Sequence, residues 1–164
     1  KAEDKTPKIA SLAPDQALAA VLAHGSGDAA LGEAVFARAT CSACHTVSRG
    51  EKPKGPYLGN IIETYPRADL AAAILEPNKT IAQGFATNVL RLEDGSTMMG
   101  FVTDEQGAQV TLRDIAAQEH TFRKSDIVTR ETLPTSMMPP GLMANFSIHE
   151  TASLLDYLAS LVKQ

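Results

Sequence analysis

Apolar positions recur at helical spacing near both ends of the chain and alternate with polar ones in the stretch between. Pro14 to Ala23 carries Ala17, Leu18, Val21 and Leu22 behind a proline suited to a first helical turn, and Gly25-Ser26-Gly27 ends it. Asp28 is a predicted N-cap for a helix running to about Ala39, with Leu31, Gly32, Val35 and Phe36 on one side. A further helix is predicted from about Pro66 to Glu76, with Leu70, Ile74 and Leu75 inward and Pro77 as its stop. Near the other end, Ser147-Ile148-His149-Glu150 has the form of a capping box, and Ala152, Leu154, Leu155, Tyr157, Leu158, Leu161 and Val162 follow it. Glycine inside a helix costs about 1 kcal/mol. Gly32 therefore implies a close approach, and the last helix, with Tyr157 over Gly32, is the expected partner. Lys1 to Ala13 is polar, holds Pro7 and shows no period; it reads as a loose arm.

From Gly84 the period shortens to two. Short β-type runs are predicted at Thr87–Leu92, Thr97–Thr103, Gln109–Arg113, Glu119–Arg123 and Ile127–Arg130. Asp94-Gly95 and Glu105-Gln106-Gly107 are hairpin signals between them. Such runs make a small antiparallel sheet or barrel with one wet face, and nothing in it looks catalytic.

The chain has 164 residues, enough for one domain with a modest insertion. Its formal charge of −4 and pI near 5.5, with no Lys/Arg cluster, argue against a nucleic-acid partner. No apolar run reaches the 18 or so residues that cross a bilayer. Ala17–Ala23 is a poor signal peptide, because Pro14, Asp15 and Gln16 stand at its start, so Lys1 is expected near a mature or trimmed N-terminus.

Both cysteines fall in Cys41-Ser42-Ala43-Cys44-His45. Cys-x-x-Cys-His is the attachment pattern of c-type haem: the thiols add across the two vinyl groups, and the histidine beside them becomes an axial ligand of the iron. Three other chemistries use similar residues. A Cys-x-x-Cys redox pair needs a βαβ setting, where an amphipathic helix is expected here. A structural zinc site needs four ligands, and no second cysteine pair exists. A plain disulfide leaves His45 without a task. A ligating histidine also needs its second ring nitrogen held. The carbonyl of Pro56, in Gly55-Pro56-Tyr57-Leu58, is placed to accept from His45 Nδ1, although a simple Gly-Pro turn is the other reading. Haem attached this way implies an extracytoplasmic, periplasmic location in a bacterium.

Five methionines compete for the opposite face of the iron. Met98 and Met99 are permitted by counting, yet lie in a predicted strand, where a bulky apolar residue is expected in the sheet core. Met143 reads as a packing residue. Ser136-Met137-Met138-Pro139-Pro140-Gly141-Leu142 is a stiff loop before the capped last helix, and Met138, directly before two prolines, is the chosen ligand. His24, His120 and His149 read as exposed or satisfied side chains.

Taken together, Gly32-x-x-x-Phe36, Cys41–His45, Gly55-Pro56-x-Leu58, Met138-Pro139-Pro140 and the aromatic-bearing last helix resemble class I cytochrome c. More narrowly, the chain resembles the haem-binding domain family of Planctomycetes/Verrucomicrobia type. Val47, Ile74-Leu75-Glu76-Pro77-Asn78-Lys79-Thr80-Ile81, Leu92-Glu93-Asp94-Gly95, Gly100, and Ser136 with Met138, Pro139, Gly141 and Leu142 carry that likeness. Two departures are Pro140, where an acidic residue is common, and the turn after Asp114, which lacks the usual glycine.

The resemblance implies a mainly α, cytochrome c-like core around one covalent haem c, with an inserted β subdomain at about 84–131, α+β overall. Residues 1–27 would be an arm and short helix, and 28–164 the cytochrome domain. It further implies a one-electron carrier without catalytic residues, using Cys41, Cys44, His45, Pro56 and Met138. The alternative is a haem sensor or peroxidase-like domain with a labile methionine. Redox proteins are the implied partners, a dehydrogenase or a terminal oxidase or reductase among them. Arg49, Lys52, Lys54 and Lys79 are candidate rim residues.

Overall fold

The computed structural model describes residues 3–51, 55–82 and 84–163. The chain divides into two compact units, Lys1–Glu76 with Pro140–Gln164, and Pro77–Pro139. The first is helical and the second is a sheet, the mixed α+β class expected from the change of period.

The helical unit holds α1 (Pro14–His24), α2 (Ala29–Arg38), the short α3 (Ile61–Thr64), α4 (Arg67–Leu75) and α5 (Ile148–Ser160). Asp28 caps α2, its carboxylate accepting from the amides of Ala30 at 2.9 Å and Leu31 at 3.3 Å. Ser147 and Glu150 cap α5 reciprocally, each bond 2.9 Å. The core contains Val21, Val35, Phe36, Leu70, Leu154, Leu155 and Leu158. At the α2–α5 crossing, a Cβ added to Gly32 would overlap the Ser153 carbonyl oxygen and come within 2.7 Å of Tyr157 Cβ. Tyr157 does lie over Gly32, but main chain at Ser153 is what demands the glycine. Phe36 and Tyr157 pack beside it, ring centroids 5.6 Å apart.

An arginine closes the helical unit. Arg67 donates to Asp156 Oδ1 at 2.5 Å, and to the carbonyls of Gly25 at 2.5 Å and Ala152 at 3.2 Å. Asp156 also accepts from the Gly27 amide at 2.5 Å. The Gly25–Gly27 break is thereby tied to α4 and α5.

The N-terminal segment is not the loose arm its composition suggests. Ile148 N–H donates to Pro7 at 3.0 Å, Ile9 N–H to Phe146 at 2.9 Å and Ala10 N–H to Ala144 at 3.0 Å. The hydroxyl of Ser147 donates to Asp4, Thr6 Oγ1 accepts from the His149 amide at 3.0 Å, and Ile9 and Leu12 pack on the core. Backbone pairing with the stretch before α5, rather than side-chain periodicity, holds it.

In the other unit β1 (Ala86–Leu92), β2 (Thr97–Gln106), β3 (Gln109–Arg113), β4 (Glu119–Arg123) and β5 (Ile127–Ser136) form one antiparallel sheet in the order β4-β3-β2-β1-β5. Register pairs Leu90 with Met98 and with Arg130, and Leu112 with His120. Leu90, Phe101, Val110 and Leu112 are buried. β5 runs on through Pro134 to Ser136, past the Arg130 expected. It is an edge strand, where a proline without an N–H costs no ladder bond. The glycine-poor turn after β3 closes with Ala117 in the left-handed region at φ 62°. There Asp114 accepts from the Gln118 amide at 3.0 Å and from His120 Nε2 at 2.8 Å.

Candidate functional site

After α2 the chain makes a left-handed step at Thr40, φ 59°, and enters a single 3₁₀ turn, Cys41–Ala43. The amides of Cys44 and His45 both donate to the Cys41 carbonyl, at 3.2 and 2.9 Å. One tight turn therefore holds both cysteines and starts the histidine off its end. The two thiols are not joined to each other; Cys41 is half-buried and Cys44 exposed. Burial pushes the Cys41 thiol above its ordinary pKa, more strongly than its own backbone hydrogen bond pulls it down.

A second segment returns alongside this turn. The Thr46 carbonyl accepts from the Leu58 amide at 2.9 Å, fixing 55–58 against 44–46. Gly55 fits because a Cβ there would come within 2.8 Å of the Cys44 carbonyl oxygen. With that register, His45 Nδ1 lies 2.8 Å from the carbonyl oxygen of Pro56. A carbonyl only accepts, so Nδ1 carries the proton and Nε2 is left with a lone pair. Nε2 has no hydrogen-bond partner among the described residues. Burial holds the imidazole below its ordinary pKa, against the opposing pull of the Pro56 carbonyl, which keeps the ring neutral.

Neutral imidazole with its far nitrogen pinned is the state that binds a metal through Nε2. Two unpaired thiols one turn away supply the nucleophiles for thioether attachment. The residues present therefore fit a covalently attached haem, which Cys41 and Cys44 would tether and His45 would ligate, with the Pro56 carbonyl already on His45 Nδ1. No cluster of three or more His, Cys, Asp or Glu suited to a metal ion occurs among the described residues.

The methionines fall in different places. Met143 is 2% exposed inside the helical core, as its packing role requires. Met98 is half-buried on β2, whereas Met99 beside it is 52% exposed. Met99 is thus not the sheet-core residue expected, since neighbouring positions on a strand face opposite ways. Met138 is half-buried and belongs to the 77–139 unit. Its amide donates to Ser136 Oγ at 3.1 Å, while the Ser136 amide donates to Asn78 Oδ1 at 2.8 Å. His120 is satisfied by Asp114, and His24 by His149. Of the candidate rim residues, Arg49 and Lys79 are exposed, and Lys52 and Lys54 lie outside the described residues.

Sequence reasoning did not find the Thr40 step. Only its place between a helix end and a tight turn could have signalled it. Among protein families, the model described as Cytochrome c matches residues 29–112, just over half of the chain. The matched stretch contains Cys41, Cys44, His45 and Pro56 and ends in β3, before Met138. No curated protein matches the chain.

Proposed function

The chain belongs to the cytochrome c family, and from that premise we propose that it carries single electrons between redox proteins through a haem c ligated by His45 and Met138. The observation that carries this reading is the 2.8 Å approach of His45 Nδ1 to the Pro56 carbonyl, which frees Nε2 for iron. When bound, haem supplies exchange between ferrous and ferric iron, and His/Met ligation favours a raised potential.

The chain's own residues do the rest. Cys41 and Cys44 tether the macrocycle through two thioethers. Pro56 holds the tautomer and the ring plane of His45 and raises its basicity as a ligand. Ser136 and the two prolines after Met138 restrict the loop that presents the sulfur. With His45 and Met138 as its two ligands, the haem would serve electron transfer. In this reading residues 28–164 form the cytochrome domain, with the sheet as an insertion before the methionine loop. The motifs shared with the Planctomycetes/Verrucomicrobia type support membership of that narrower group, with an extracytoplasmic location. A dehydrogenase or a terminal oxidase or reductase is the partner class.

The test is spectroscopic, on the haem-loaded protein. The oxidised form should show the weak sulfur-to-iron charge-transfer band, and the reduced form should be low-spin and refuse carbon monoxide. Met138→Ala should abolish the band, admit carbon monoxide and lower the potential. Loss of the band from Met98→Ala or Met99→Ala alone would move the ligand elsewhere. Ready carbon monoxide binding by the unaltered protein at neutral pH would favour the ligand sensor over the carrier.

A further inference from the structure

Two histidines meet on the helical unit with no part in the Cys41–Pro56 site. His24 is the last residue of α1 and His149 the second of α5. Nε2 of His24 lies 3.0 Å from Nδ1 of His149, and the rings stand edge to face with centroids 5.2 Å apart. His24 is exposed and His149 half-buried, so solvent reaches the pair.

The spacing is informative. Imidazole nitrogens bind divalent first-row metals at about 2.0–2.1 Å. In the metal-free pair 3.0 Å is the length of the N–H···N bond. With the rings turned so that both lone pairs face one ion at that spacing, the nitrogens would subtend about 90°, the angle between neighbouring ligands in square-planar or octahedral geometry. Tetrahedral zinc would want them about 3.3–3.4 Å apart. We propose that His24 and His149 form a two-imidazole site for a tetragonal divalent metal ion, Cu(II) in preference to Ni(II). The order follows the general rise in affinity from nickel to copper for nitrogen ligands.

The metal-free pair shares one proton in an N–H···N bond. On binding, the donor ring keeps its proton but carries it on the outer nitrogen, Nδ1 of His24 or Nε2 of His149. Both facing nitrogens then offer lone pairs, and no net proton leaves. Asp4 accepts from the hydroxyls of Ser147 and Thr6, and Thr6 Oγ1 in turn accepts from the His149 amide, which places a carboxylate on that side. The carbonyl end of α1 favours a cation at His24, while the amide end of α5 opposes one at His149. No third His, Cys, Asp or Glu completes a cluster among the described residues. Water fills the other positions, and the ion exchanges readily.

The oxidised, haem-loaded protein is titrated with Cu(II) and followed by calorimetry and electron paramagnetic resonance. One equivalent should bind, with hyperfine coupling to two imidazole nitrogens. His24→Ala and His149→Ala should each weaken binding by about tenfold or more, because the second contact is made intramolecularly. His120→Ala should change nothing. An unaltered haem spectrum and helical circular dichroism establish that each variant is folded, and His24→Gln repeats the test away from α5. Retained Cu(II) affinity in the His24/His149 double variant would overturn the site. Tighter binding of Zn(II) than of Ni(II) would overturn the tetragonal assignment.

Discussion

Gly32→Ala tests the crossing on which the helical unit depends. The added methyl would overlap the Ser153 carbonyl oxygen and sit 2.6 Å from the carbonyl carbon and 2.7 Å from Tyr157 Cβ. Two of those atoms are main chain, so no rotamer change relieves the clash, and α2 and α5 must separate by about 1 Å to restore ordinary contact. A gap of that size forfeits a quarter to a half of each dispersion contact it opens. Val35, Phe36, Leu154 and Leu158 belong to the core that would loosen. Overpacking of this kind costs about 1–3 kcal/mol and sometimes more. Alanine returns at most about 1 kcal/mol through helix propensity. A net loss of about 1–2 kcal/mol is expected, lowering Tm by about 2–8 °C in a protein of this size. Urea and thermal unfolding of the haem-loaded protein, followed by far-ultraviolet circular dichroism, measure it. Ala34→Gly, at an exposed position on α2, calibrates propensity alone. If Gly32→Ala unfolds at the same or higher urea concentration than the parent, close approach is not the reason for the glycine.

Two further outcomes follow from local geometry. Ala117 sits at φ 62° in the β3–β4 turn, where a Cβ costs about 1–2 kcal/mol; Ala117→Gly should stabilise the sheet by about 1 kcal/mol after glycine's entropy. Amide exchange in β3 and β4 should slow several-fold, and unchanged or faster exchange refutes the strain. Asp4 is pushed upward by burial, but hydrogen bonds from Ser147 and Thr6 outweigh this and hold it below the usual aspartate pKa. Its contribution to docking the arm is therefore complete above the unfolded-state value and lost as pH falls through the folded one. The amide resonances of Ser147 and His149 should report a midpoint below that of aspartate in a peptide of the arm. A midpoint equal to the peptide's would remove the coupling, and Asp4→Asn should flatten the titration.

Much of the molecule was legible because its determinants are local. Cys41, Cys44 and His45 are consecutive enough for one turn to gather them, and the spacing announces the chemistry. The caps at Asp28 and Ser147 lie beside the amides they serve. β3 and β4 fall where alternation puts them, because their hairpins are short. The Pro56 carbonyl could be nominated from sequence, but its distance to His45 depends on the Leu58–Thr46 bond that sets the return segment.

What the sequence could not decide depended on partners far along the chain. The arm looks featureless, since the strand-like bonds that fix it are made to 144–148 and leave no period in the side chains. Arg67 is an ordinary first-turn residue until folding brings Asp156 and two carbonyls to its guanidinium. Pro134 reads as a strand breaker until the sheet order makes β5 an edge. Met99 reads as core until register turns it outward. Local spacing by itself determined most of the helices and strands, the short α3 apart, and gathered Cys41, Cys44 and His45 at one turn. Only the tertiary structure decided which of them meet, because a contact across a hundred residues is selected by the packing of the whole chain.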